Sequence, residues 1–296
     1  MIRSVLLTVL LILLGVLATL PLGWIAVLPR LSSLDPEIQR QIVLWGLPLA
    51  AMVLSFVLFP RLLRPAEVAP GPPARRLVLL AACGVALLVD QSFLLIGRLT
   101  GWATFTSTAQ PPGHRASAVA TAVTAAWALP ACLVLAIWGS ERALRGAVYT
   151  GWRRRLPAPA ALAVSILTGA LLTLPLILPR GEVPDAAFVA GTLIAVLCRE
   201  LSFALLFRGG GGLLVAGLYR GVLLFVEAFI VTDWFGLFFP AFNYVTSGPL
   251  FYGVRAACAL VAAGVIAWVV QPAPGLSVRR IRPVEDLDPA EEPEAG

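Results

Sequence analysis

The chain has 296 residues, of which 59% are hydrophobic and only 13% are charged, and its mean hydropathy is +0.91. A soluble domain carries roughly 25% charged residues, so this composition excludes an ordinary soluble globular protein. The net charge of +6 comes from arginines in short segments beside apolar runs, without a basic patch of interleaved aromatic residues, which argues against nucleic-acid binding.

Apolar runs long enough to cross a bilayer as helices recur along the chain. The first run follows Arg3, but it extends over about 25 residues, longer than a signal-peptide core, so we predict an uncleaved anchor. The fold class is an all-α polytopic membrane protein with a single transmembrane helical domain over residues 1–270. We predict about eight spans, at residues 4–28, 41–60, 77–97, 117–139, 158–179, 187–207, 212–233 and 249–270.

The arginines between the spans predict the orientation of the chain. If the N-terminus is inside, most of them fall in inside segments, among them Arg75, Arg142, Arg145, the run at 153–155 and Arg208. Cytoplasmic loops of membrane proteins carry such an excess of basic residues. We therefore predict that both termini are cytoplasmic and that the protein is integral to the cell (inner) membrane.

Glycines mark two features near the sixth and seventh spans. The run Gly209–Gly212 predicts a tight turn between them, because a phosphate-binding loop would end in a GK[ST] sequence that is missing here. Gly217 and Gly221 are four residues apart and bracket Arg220. Small residues at this spacing allow helices to approach closely in a membrane, so we predict a helix contact there.

The segments predicted outside the membrane offer fewer signals. Residues 234–253 are rich in aromatics and contain no charge, which is typical of an interfacial belt or of a re-entrant lid. The polar loop at residues 98–115 contains His114, the only histidine. Residues 271–296 form a cytoplasmic tail that is first basic and then acidic; its arginines can contact anionic headgroups, and its acidic part is expected to be disordered.

Ionisable residues within the spans are the strongest functional signal in the sequence. A charge at the bilayer centre costs on the order of 3 kcal/mol, so such residues are expected to pair. A rise of about 1.5 Å per residue places Glu200 and Arg220 at matching depth, and Glu227 and Arg255 likewise. Asp90 can pair with Arg199, or it can join the pair formed by Glu227 and Arg255. The candidate binding site or proton and ion pathway therefore comprises Asp90, Arg199, Glu200, Arg220, Glu227 and Arg255.

The residues of common catalytic and metal sites are missing from the spans. No histidine lies in a span, Ser92 and Ser202 have no nearby base, and there is no lysine for a Schiff base. The cysteines occur singly in separate apolar runs, which predicts buried free thiols rather than metal ligands. We expect no metal and no cofactor, and enzymatic activity is not favoured.

Three functions remain open. The first is a permease-like protein, or a membrane subunit of a transport system, with a charged intramembrane site. The second is a structural or assembly subunit of a membrane complex, in which the ion pairs only fix the helix register. The third is a lipid-modifying membrane enzyme whose arginines bind a headgroup phosphate. The expected partners are the lipid bilayer and membrane-protein subunits; no nucleic acid is expected, and the substrate is not specified.

Overall fold

The computed structural model of the chain describes residues 5–6, 8–12, 71–106, 129–177, 186–226, 243–246 and 249–271. Within these residues the protein is almost entirely helical, as the composition predicts. Outside the described residues lie most of the first predicted span, the whole second span, the first half of the fourth span, His114, Glu227, most of the aromatic segment and residues 272–296 of the tail. Among the described residues, three helical stretches are long and apolar enough to cross a membrane: Pro73–Thr100, Ala186–Val226 and Leu250–Val270.

The elements of the described residues are, in chain order, α1 (Pro73–Thr100), β1 (Ala103–Thr106), α2 (Leu135–Tyr149), α3 (Ala158–Ile177), α4 (Ala186–Leu206), α5 (Gly212–Val226), β2 (Asn243–Thr246) and α6 (Pro249–Val270). Helix α2 has the wide i→i+5 hydrogen bonding of a π-helix, and one α-helical turn, Thr150–Arg153, continues it. The helix of the fourth predicted span therefore continues beyond residue 139 to Arg153.

Helices α4 and α5 form a hairpin at the glycine run. Gly210 has φ 97° and Gly212 has φ 63°, a left-handed conformation that glycine adopts without steric cost. The rings of Phe203 and Tyr219 lie opposite each other across the hairpin, with their centroids 5.5 Å apart. The apolar stretch of 41 residues therefore holds two helices, and the predicted turn is confirmed.

The glycine turn meets the beginning of α1 and the end of α6. The N–H of Gly71 donates to the carbonyl of Gly210 at 2.8 Å. The guanidinium of Arg75 donates to the carbonyls of Gly209 at 3.3 Å and Val269 at 2.9 Å. The last carbonyls of a helix have no partner within the helix, and a cation there satisfies them and complements the helix dipole. These three segments therefore lie at one end of the bundle.

A short antiparallel ribbon lies at the other end of α1. Helix α1 ends at Thr100; the next residue, Gly101, is left-handed with φ 74°, and β1 begins two residues later. Strand β1 pairs with β2, with Ala103 opposite Thr246 and Thr106 opposite Asn243. The two segments that the sequence places outside the membrane, 98–115 and 234–253, thus meet in this ribbon.

Helix α4 lies in the middle of the described bundle. It packs against α3, α5 and α6, while α6 also packs against α1, and α2 packs against α3 and α5. Leu79, Leu206 and Ile266 are completely buried in the main apolar core. Large apolar side chains such as Leu88 and Trp268 are exposed on the outer faces, which is typical of contact with lipid.

Candidate functional site: a ring of four charges

Helix α2 contributes two charges to the interior of the bundle. Glu141 and Arg145 lie one turn apart, where opposite charges on a helix face each other, and both are completely buried. Nε of Arg145 lies 3.6 Å from Oε2 of Glu141. Their neighbours Ala143, Leu144 and Ala147 are apolar and buried, so these charges lie in an otherwise apolar interface.

Helices α4 and α5 contribute Glu200 and Arg220. Each is ten residues from Gly210 along the hairpin, or about 15 Å at the rise of an α-helix, so the two side chains lie at the same depth. Nη2 of Arg220 donates to Oε1 of Glu200 at 2.6 Å. The pairing that the sequence predicts for these two residues is confirmed.

The two sets of charges join into a closed ring. Nε of Arg220 donates to Oε1 of Glu141 at 2.6 Å, and Nη2 of Arg145 donates to Oε2 of Glu200 at 2.7 Å. We refer to Glu141, Arg145, Glu200 and Arg220 as the charge ring. Each member contacts both members of opposite charge, so the ring is neutral and its members compensate one another where water is excluded.

Only one member of the charge ring is accessible. The side chains of Glu141 and Arg145 are 0% exposed and that of Glu200 is 3% exposed, whereas that of Arg220 is 14% exposed. The guanidinium of Arg220 also lies over the ring of Phe203, 4.3 Å from its centroid, in a cation–π contact. Arg220 is therefore the most exposed member of the charge ring.

Glycines allow the ring to close. A β-carbon built at Gly169 on α3 would lie 2.5 Å from the carboxyl carbon of Glu200, so only glycine leaves room for this carboxylate. At Gly217 and Gly221 on α5, a β-carbon would lie 2.8 and 2.9 Å from α-carbons of α2 and of the helical residues just before it. The close helix contact that the glycine spacing predicts is confirmed.

A second ion pair lies on the other side of α4. Nη2 and Nε of Arg199 donate to the two carboxylate oxygens of Asp90 at 2.7 and 3.2 Å, in the bidentate geometry that arginine favours. Gln91 donates to the same carboxylate at 2.8 Å. Of the two partners that the sequence allows for Asp90, the structure selects Arg199, whose side chain is 12% exposed.

The remaining predicted pair is only half described. Arg255 on α6 is buried, and its guanidinium lies 5.6 Å from the ring centroid of Phe93 on α1. Its predicted partner, Glu227, lies outside the described residues. The Glu227–Arg255 pair stays a prediction.

Half of the charge ring is missing from the predicted site. The sequence predicts Arg142 and Arg145 in an inside segment between spans, and Glu141 is not among the predicted site residues, but all three lie within α2. The assignment of Arg145 is wrong, since this side chain is completely buried and ion-paired. The signal that would have revealed the pair is an acid and a base four residues apart in a segment that stays small and apolar up to Tyr149.

The four cysteines are buried and free, as predicted. In the part of the chain that the structure describes, no three histidine, cysteine, aspartate or glutamate residues form a group that could hold a metal ion. No family model, curated protein or solved structure matches this chain. A function must therefore be inferred from the chemistry of the charges and their surroundings.

Proposed function

We propose that the protein is a permease-like membrane protein, or a membrane subunit of a transport system, whose intramembrane site consists of the charge ring and the Asp90–Arg199 pair. In this proposal the chain crosses the inner membrane about eight times, with both termini in the cytoplasm. The predicted Glu227–Arg255 pair belongs to the same proposed site. Other membrane subunits are its expected partners.

One observation supports transport over a purely structural role. In both charge clusters the partly exposed member is an arginine, Arg199 or Arg220, while the carboxylates remain almost fully buried. Contact between a guanidinium and lipid tails is unfavourable, so these exposed parts are expected to face a polar cavity. A guanidinium binds carboxylate and phosphate groups well, which makes an anionic solute the expected ligand class.

The geometry offers a way to connect ligand binding to helix packing. Arg220 uses two of its nitrogens on Glu141 and Glu200. An anion that binds Arg220 competes with these carboxylates for the same donors. Because the carboxylates belong to α2 and α4 and the arginine to α5, this competition weakens the links among three helices. A ligand that favours the weakened arrangement then shifts the population toward it.

The test is whether water reaches Arg220. The variant is Arg220→Cys in a background in which the four native cysteines are alanine. We expect it to react with a charged, membrane-impermeant thiol reagent in proteoliposomes that expose one or the other face of the protein. The matched control is Leu201→Cys, because Leu201 is exposed on α4 and apolar. A thiol at that position faces lipid and should stay unmodified.

Phe203→Cys tests the same cavity without removing a charge, because the ring of Phe203 lies directly against Arg220. Size-exclusion chromatography verifies that each variant is folded. Absence of labelling at both positions 203 and 220 in folded protein would contradict the proposed cavity and favour a dry network.

A second candidate is a structural or assembly subunit of a membrane complex. The observation in its favour is that the charge ring is neutral and closed, as a network that only fixes helix register would be. Buried ion pairs of this kind can often be replaced by apolar residues of similar size without loss of stability. If the ring is only structural, a variant with methionine at all four positions should stay folded. Cells that carry this variant should then grow as well as cells that carry the unmodified protein.

A further inference from the structure

One edge of the charge ring has unmatched hydrogen-bonding groups. Nε of Arg145 and Oε2 of Glu141 are 3.6 Å apart, too far for a direct hydrogen bond. This oxygen of Glu141 is buried and accepts no hydrogen bond, and Nε and Nη1 of Arg145 are buried and donate none. Every other carboxylate oxygen of Asp90, Glu141 and Glu200 accepts at least one hydrogen bond.

Such groups are rarely left without partners. A buried, unsatisfied group on a charged side chain costs more than the 1–3 kcal/mol of a neutral one. Ordered water is the usual partner when protein groups do not suffice, and a buried water needs two to four polar neighbours. This edge of the charge ring supplies both a donor and an acceptor for a water molecule, because Arg145 has unused N–H groups and Glu141 has an unused carboxylate oxygen.

We propose that the charge ring contains a buried water site between Arg145 and Glu141. The water accepts a hydrogen bond from the guanidinium of Arg145 and donates one to Oε2 of Glu141, and so gives this edge of the ring the hydrogen bonds that the direct contact at 3.6 Å does not supply. An anion does not fit, because Oε2 needs a donor, and a metal cation does not fit beside the guanidinium. The inference depends on the hydrogen bonds of the ring and not on the proposed transport.

A density map of the full-length protein in nanodiscs, at a resolution that shows ordered water, tests the site directly. We expect a peak within hydrogen-bond distance of both Arg145 and Oε2 of Glu141. A map in which Nε of Arg145 contacts Oε2 directly, with no density between them, would overturn the proposal. So would density for a larger molecule at this position.

Two matched double variants give a second readout, the number of long-lived internal waters measured by magnetic relaxation dispersion. Glu141→Met with Arg145→Met removes both proposed partners of the water, keeps the charge balanced and leaves Arg220 paired with Glu200, and we expect the loss of one such water. Asp90→Leu with Arg199→Met is also neutral but leaves the ring intact, and we expect no loss. Equal counts in the two variants would contradict the site, and if the first variant does not fold, the map of the unmodified protein decides.

Discussion

Helix α4 carries two adjacent charges that meet two different environments. Arg199 faces α1, where it contacts Asp90 through two hydrogen bonds. Glu200 faces α2 and α5, where Arg145 and Arg220 both bind it. Successive residues of an α-helix point about 100° apart, so one helix can serve an ion pair and the charge ring at nearly the same depth.

The difference lies in how many helices depend on each contact. The Asp90–Arg199 pair joins two helices, and one of its members is partly exposed. The charge ring joins three helices, and three of its members are buried. Removing Glu200 from the ring therefore leaves two arginines, one of them completely buried, with a single carboxylate, whereas removing Asp90 from the pair leaves one arginine that is 12% exposed.

Glu200→Gln should have the largest effect, because it leaves two arginines with a single carboxylate. Breaking a buried ion pair by removing one partner costs about 3–5 kcal/mol. We expect a loss of this size in the free energy of unfolding, measured by tryptophan fluorescence in detergent during denaturant titration. A cost no greater than that of Asp90→Asn would mean that the ring and the pair do not differ as proposed.

Gly169→Ala should come next, because its β-carbon displaces the carboxylate of Glu200 from the ring. Overpacking a filled interior typically costs 1–3 kcal/mol, and we expect about 2 kcal/mol in the same measurement. Gly264→Ala on α6 is the matched control, since a β-carbon there meets nothing within 4 Å. If both variants lose the same stability, the close approach of Gly169 to Glu200 has no energetic importance.

Asp90→Asn should cost less than either ring variant, about 1–2 kcal/mol, because Arg199 is partly exposed and asparagine still accepts one hydrogen bond. Adding Arg199→Gln should recover part of this loss, since no unmatched charge then remains. Simple addition of the two single effects in a double-mutant cycle would show that the residues are not coupled.

Phe203→Leu should have the smallest effect. It removes the aromatic face beneath Arg220 and the ring contact with Tyr219 but keeps an apolar side chain at this buried position, and a cation–π contact to the partly exposed Arg220 contributes about 0.5–1 kcal/mol. The expected loss in the free energy of unfolding is about 1 kcal/mol. A loss as large as that of Glu200→Gln would indicate that Phe203 and not the carboxylates holds Arg220 in place.

Several parts of the fold and of the site were predictable because they depend on residues close in the chain. The turn at Gly209–Gly212 follows from glycine's backbone freedom. The Glu200–Arg220 pair follows from equal distances to that turn along one hairpin. The close packing at Gly217 and Gly221 follows from the small size of residues one turn apart.

The rest of the site was not predictable in this way. Arginines at positions 142 and 145 suit a cytoplasmic loop as well as a helix, because a local sequence does not state whether a charge has a partner elsewhere. Arg145 became an interior residue only because Glu200, 55 positions away, lies beside it. The choice of Arg199 as the partner of Asp90 depends in the same way on how α1 packs beside α4.

The sequence by itself determined that this chain is apolar, helical and punctuated by glycine turns, and that its interior charges must be paired, because apolar surroundings make an unpaired charge too costly. Only the tertiary structure decided which charges meet. A salt bridge needs atoms within about 4 Å, and that proximity comes from helices distant in the chain packing side by side. A neutral ring of four charges, rather than isolated pairs, is the result of that packing.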